Sequence, residues 1–202
     1  GLVVPKISDE CLTIIDDTLT LNNINLKVIG IIETPSAFFE LKTIAKHDRL
    51  KGLLLGAEDL TKSLGINRTV SAEEILYARS QVVYAMHAHQ KEAIDTPFTD
   101  TLDDEGFLKD TRFAKQLGFT GKSSIHPNHT YDINHTFSPT EQQIDEALRI
   151  VSMHKRTQSM RFSLDGKMID KPVIERAINI LEKAYSYQLI KEDDYEHLQL
   201  NE

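Results

Sequence analysis

An α/β fold built on a parallel sheet is predicted by two observations. The first is a series of short apolar runs, rich in Val, Ile and Leu, of the kind that form buried parallel strands. The second is the helix-periodic stretch that separates each run from the next, which is the βαβ pattern. Two folds meet that description: a doubly wound sheet, and a (β/α)8 barrel short of some strands. No glycine-rich phosphate loop follows any strand, which weighs against a nucleotide-binding doubly wound sheet. A complete barrel needs about 250 residues, so a barrel reading leaves roughly three βα units unaccounted for.

The best-defined unit runs from Val28 to Leu60. Val28-Ile29-Gly30-Ile31-Ile32 reads as one strand and Leu50 to Leu55 as the next. Between them Ala37, Phe38, Leu41, Ile44 and Ala45 recur at helical spacing. Before this unit, residues 1–6 read as a strand, and Ser8 and Asp9 are helix caps for a segment from Glu10 to about Thr18. After it, Ser71 followed by Glu74 reads as a capping box opening a long helix to about Gln90, with Ile75, Leu76, Val82, Val83 and Met86 on its apolar face. Ala93–Phe98 is a fourth strand. Asp103–Leu117 is a helix stopped by Gly118. Phe119–His126 is a fifth strand ended by Pro127. A helix from Thr140 to about Lys155 follows Ser138-Pro139. Arg156–Asp170 is a polar connection with a turn at Asp165-Gly166. A last amphipathic helix spans Pro172 to about Leu189, and the charged segment from Lys191 to Glu202 reads as a frayed tail. The expected division is residues 1–155 as the sheet-bearing part and 156–202 as a C-terminal lid and helical extension.

Composition narrows the function. The chain has 202 residues, 40% hydrophobic and 27% charged, with a net charge of −8. No basic stripe offers itself to nucleic acid, and no apolar run approaches membrane-spanning length. One cysteine, Cys11, excludes an internal disulfide framework and fits a reducing compartment, so a cytoplasmic protein is expected.

The chemistry-bearing residues lie at strand ends. Ligands in parallel α/β sheets bind at the carboxyl ends of strands. Glu33 and Asp59 stand there, on consecutive strands. Two carboxylates with open positions left for substrate oxygens suit a hard divalent cation, Mg²⁺ most naturally. The plainer alternative is that Asp59 caps the following helix and Glu33 is a solvated strand end. Similar alternatives attach to the other candidates. His126 is a strand-end histidine or a substrate contact, Asp95 a buried, satisfied carboxylate or a substrate contact, and Asp170, before Lys171-Pro172, reads by itself as an N-cap.

A series of motifs occurs in fixed order: GLVVPK (1–6), IGIIETPSAFFE (29–40), LLLGAEDLTKSLG (53–65), ILYARSQVV (75–83), AIDTPFTD (93–100), GKSSIHP (121–127) and DGKMIDKP (165–172). They cover nearly the whole chain, and their sequence resembles the citrate lyase β-subunit-like family. That family lies within the Mg²⁺-dependent aldolases and lyases that include malyl-CoA, citramalyl-CoA and HpcH/HpaI-type enzymes. The resemblance implies a (β/α)8 barrel with Mg²⁺ held at its carboxyl face by Glu33 and Asp59, with Glu58 supporting them. It implies cleavage of a 3-hydroxyacyl thioester of the citryl, citramalyl or malyl type, on CoA or an acyl carrier, into an acyl thioester and a 2-oxo acid. Asp170, in the MID motif of a lid, would be the catalytic proton carrier, acting in trans on a neighbouring subunit of a homotrimer. Lys62 and Arg68 would be loop cations or contacts for CoA phosphates. The family's R-x-N strand, whose Arg clamps the substrate, has no counterpart here, so the native protein is expected to be longer than these residues. Within the resemblance the alternatives are an aldolase of free 2-oxo acids and a non-catalytic subunit of a lyase complex.

Overall fold

The computed structural model describes residues 1–191. It divides into two compact units, residues 1–137 and 138–202.

The first unit is a five-stranded parallel sheet with helical crossovers. Its strands are β1 (Leu2–Val4), β2 (Val28–Ile32), β3 (Leu50–Leu55), β4 (Glu92–Asp95) and β5 (Gly121–Lys122). They lie side by side in chain order, every neighbouring pair parallel. A doubly wound sheet reverses strand order at a switch point; no reversal occurs among these five strands. These strands make an open five-stranded sheet, not a closed barrel. The helices are α1 (Asp9–Leu21), α2 (Pro35–Lys46), α3 (Ala57–Leu64), α4 (Leu76–His87), α5 (Asp104–Leu117) and α6 (His129–Phe137). The core forms where the predicted apolar residues meet: Val28, Ile32, Leu50, Leu53 and Leu55 from the strands against Ala37, Leu41, Ile44, Val82 and Met86 from the helices.

Several local expectations need correction. Ser71 and Glu74 form no capping box. Ala72 takes a left-handed conformation and a 3-10 turn over Glu73–Ile75 precedes α4. Glu74 turns back instead to Thr69 and Arg68, accepting from the Thr69 amide at 3.1 Å. The fifth strand contracts to two residues because the chain leaves the sheet at Ser123, whose amide and hydroxyl both donate to the Asp95 carbonyl. The helix α6 was not expected, yet His129, Ile133 and Phe137 at four-residue spacing are its buried face.

In the second unit α7 (Glu141–Thr157) packs on α8 (Lys171–Ser186) through Ile144, Ala147, Ile150 and Val151 against Ile174, Ala177, Leu181 and Ala184. The expected boundary at 155/156 falls inside α7; the division lies at Phe137/Ser138, because α7 buries its apolar face in this second core. Thr140 caps α7 in a reciprocal box with Gln143. The polar connection is a hairpin, β6 (Phe162–Leu164) and β7 (Lys167–Ile169), turned by Asp165 and Gly166 with φ of 52° and 76°. Two positive φ values in a two-residue turn suit the twist of the flanking strands. No helix among the described residues is long and apolar enough to cross a membrane. The tail after Lys191 lies outside the described residues.

Candidate functional site

The site is built where β2 and β3 end side by side. Ile32 pairs with Leu55 in the register, and the Gly56 amide donates to the Ile32 carbonyl at 3.0 Å. This bond brings the residue after β2, Glu33, against the first residues of α3. Glu33 is 7% exposed. Its Oε1 accepts from the Lys6 amide at 2.8 Å, and Lys6 presents that amide from a left-handed backbone with φ of 49°. The other oxygen lies over Gly56: a Cβ there would stand 2.6 Å from Glu33 Oε2 and 2.6 Å from Glu33 Cβ. Glycine at 56 is therefore what leaves room for the carboxylate. Asp59 follows in the first turn of α3, exposed, with no hydrogen bond or ion pair among the described residues. Glu33 and Asp59 thus occupy adjoining elements, with one anchored and one free oxygen on Glu33 and an uncommitted carboxylate on Asp59.

This donor set is hard oxygen. Among the described residues no group of three or more His, Cys, Asp and Glu side chains could hold a metal ion. A closed zinc site is thereby not offered. Two carboxylates leave most positions of an octahedral ion to water or substrate, which is how Mg²⁺ is usually held. The residues present fit that ion. Glu58 points its carboxylate elsewhere, accepting from Arg68 Nε at 3.1 Å, and Arg68 also pairs with Glu74. Burial alone would raise the Glu74 carboxyl, but its bonds from Thr69 and Arg68 hold it below the ordinary range. Arg68 is thus committed to carboxylates rather than left free for phosphates.

A scan of family models matches residues 4–127 to the HpcH/HpaI aldolase/citrate lyase model. The chain belongs to that family. Among curated relatives, citrate lyase subunit beta of Haemophilus influenzae is 36% identical over 182 residues, covering 88% of this chain and 62% of that protein. Mitochondrial citramalyl-CoA lyase of Mus musculus is 31% identical over 173 residues, covering 80% of this chain and 51% of that one. Among solved structures, the protein CitE of Mycobacterium tuberculosis, in complex with magnesium, acetoacetate and coenzyme A, superposes with a TM-score of 0.69 at 27% identity, covering 91% of this chain and 68% of that chain. The chain spans from 48% to 62% of the length of the citrate lyase β subunits it matches.

Asp95 is fully buried at the end of β4. It accepts from Arg79 Nε at 3.0 Å, Arg79 Nη2 at 2.9 Å and Lys122 Nζ at 2.7 Å. Asp110 of α5 takes one further bond from each cation, both 2.7 Å. With both Asp95 oxygens engaged inside the protein, the satisfied-carboxylate reading is the one the geometry favours over substrate contact. His126 is half-buried; its Nδ1 accepts from the Asn128 amide at 3.3 Å, and its ring lies 5.7 Å from that of His129. His129 is buried and stacked on Phe107 with ring centroids 3.8 Å apart. Asp170 belongs to the second unit, where it caps α8 and accepts from the Val173 amide at 3.4 Å.

Arg79 and Lys122 were missed as partners of Asp95, and Asp110 as the second anion on the same cations. One signal was legible: Arg79 sits four residues from both Ile75 and Val83, inside the apolar face of α4, where a cation needs a buried counter-charge.

Proposed function

We propose that this protein is a Mg²⁺-dependent carbon–carbon lyase acting on a 3-hydroxyacyl thioester of the citryl, citramalyl or malyl type, carried on CoA or an acyl carrier. In this reading the five strands are consecutive strands of a (β/α)8 barrel, and the protein works in the cytoplasm as a homotrimer. The observation that carries the reading is the free Oε2 of Glu33 at the start of α3, with Asp59 uncommitted in the same helix's first turn. Family membership and the magnesium- and coenzyme-A-bound CitE structure support it.

Glu33 Oε2 and the Asp59 carboxylate would hold the cation, while the Lys6 amide keeps Glu33 from turning away. When bound, the ion supplies Lewis-acid stabilisation of negative charge developing on substrate oxygens. In the cleavage the 3-hydroxyl gives up its proton and becomes the carbonyl of a 2-oxo acid. The bond between the carbinol carbon and the carbon next to the thioester breaks, and its electron pair passes to the thioester as an enolate. A proton returned to that carbon completes the acyl thioester, and Asp170 is assigned that transfer, from the lid of a neighbouring subunit.

The test is a mass-spectrometric cleavage assay of the full-length protein with citryl-, citramalyl- and malyl-CoA, in Mg²⁺ and in EDTA. Metal-dependent release of an acyl-CoA is expected, and the preferred thioester names the substrate. Turnover confined to pyruvate–aldehyde adducts would move the activity to the free oxo-acid aldolases. Mg²⁺ binding with no turnover of any substrate would mark a non-catalytic subunit.

Gly56 supplies a second check on the site. In Gly56→Ala the new methyl would overlap Glu33 Cβ and Oε2. The carboxylate must then swing off its Lys6 anchor. Mg²⁺ affinity by calorimetry is expected to fall about tenfold or more, in the range seen when support of a metal ligand is lost.

A further inference from the structure

The cluster around Asp95 joins two cations and two carboxylates away from water, and Arg79 Nη1 has no hydrogen-bond partner among the described residues. Assemblies of this kind return little net stability, because desolvation offsets their mutual attraction. What they do yield is fixed geometry. The bonds leaving the cluster show what is fixed. Lys122 Nζ has three protons; two go to Asp95 and Asp110, and the third goes to the Thr96 carbonyl at 2.7 Å. Thr96 is 1% exposed. Its Oγ1 accepts from the Ala57 amide at 3.4 Å.

Ala57 is the first residue of α3, and the helix has no side-chain cap. First-turn amides have no partner within a helix. Here one neighbour on each side supplies an acceptor: the Ile32 carbonyl of β2 takes the Gly56 amide, and the Thr96 hydroxyl after β4 takes the Ala57 amide. The turn held between them carries Asp59. We propose that Thr96 is a positioning residue of the metal site: the Arg79–Asp95–Lys122–Asp110 cluster fixes Thr96, and the Thr96 hydroxyl fixes the first turn of α3 and so the Asp59 carboxylate. This rests on the reading of Asp59 as a metal-holding residue.

Thr96→Val removes the acceptor and keeps the shape. The full-length wild type, Thr96→Val, Thr96→Ser and Asp59→Asn are compared by Mg²⁺ calorimetry, and by amide hydrogen exchange without metal. In Thr96→Val, Mg²⁺ affinity is expected to fall about tenfold, the lower end of losses on removing support for a metal ligand. Exchange should quicken across Ala57–Thr61 and stay unchanged in α7 and α8. Thr96→Ser, which restores the hydroxyl, is expected to bind as the wild type does. Thr96→Ala deletes the same acceptor with less apolar bulk and is expected to repeat the loss should the valine variant not fold. Wild-type affinity and exchange in Thr96→Val, with Asp59→Asn unable to bind, would overturn the positioning role alone. A wild type that takes up no Mg²⁺, or an Asp59→Asn that binds as the wild type does, would overturn the metal reading and the proposal with it.

Discussion

Glu33→Gln and Asp59→Asn are each expected to lower kcat/KM for thioester cleavage by on the order of a thousandfold, since a metal's stabilisation of transition-state charge is worth several kcal/mol. Both substitutions leave the local fold in place, for different reasons. The carboxamide introduced by Glu33→Gln keeps an oxygen to accept the Lys6 amide, so the anchored side of the residue survives. What changes is the oxygen over Gly56, which is exchanged for a neutral group, and an amide nitrogen carries no lone pair for a hard cation. Asp59 is exposed and has no partner among the described residues, so its neutralisation removes no internal bond. Its structural effect is limited to the favourable charge at a helix N-terminus, about 0.3–1 kcal/mol. Calorimetry with Mg²⁺ and thermal melts separate the two effects: affinity should collapse in both variants while the melting temperature moves by a few degrees at most. Undiminished Mg²⁺ binding in both variants would remove the pair from the metal site.

The sheet and the two candidate carboxylates were legible because both depend on short-range pattern. Each strand of the central βαβ unit is a short, mainly apolar run, with Glu33 directly after the first and Asp59 in the first turn of the helix that follows the second, in a fold whose sites lie at strand ends. Residues that act through long-range pairing were less legible. Asp95 drew attention only as a carboxylate within a strand. Its partners come from α4 and β5, 16 and 27 residues away in the chain, with Asp110 of α5 paired to the same two cations, and no local rule joins them. Where short-range signals competed, tertiary bonds decided. The Ser71–Glu74 spacing fits a capping box, but Glu74 gains two bonds from Thr69 and an ion pair with Arg68 by facing the other way. At Asp165-Gly166 the turn signal was read and the hairpin was not, because three-residue strands are too short to show alternation.

Asp95→Asn is expected to cost about 3–5 kcal/mol of folding stability, the range for removing one member of a buried ion pair. In a chain of this size that corresponds to a melting temperature roughly 10 °C lower. The reason is arithmetic of charge. The native cluster has two cations, Arg79 and Lys122, and two anions, Asp95 and Asp110. Neutralising Asp95 leaves two cations sharing Asp110 alone, and turns an amide N–H toward a donor that has lost its acceptor. Adding Lys122→Met restores neutrality, with Arg79 and Asp110 as the remaining pair and a flexible apolar chain along the path of the lysine stem. The double variant is therefore expected to be more stable than the sum of the two single losses, by coupling of the size seen for residues in contact. Urea unfolding of the four proteins measures this; strictly additive losses would mean that the four groups do not act as one cluster. The acid side gives an independent reading. Burial would raise the Asp110 carboxyl, but Lys122 and then Arg79 outweigh it and hold the group below its ordinary 3.8. A depressed carboxylate contributes stability that is complete above 3.8 and is lost as the pH falls through the lower folded value. Lys122→Met removes the stronger of the two attractions, so the Asp110 value should rise toward 3.8, and the acid-linked loss of stability should be smaller and end at a higher pH than in the wild type.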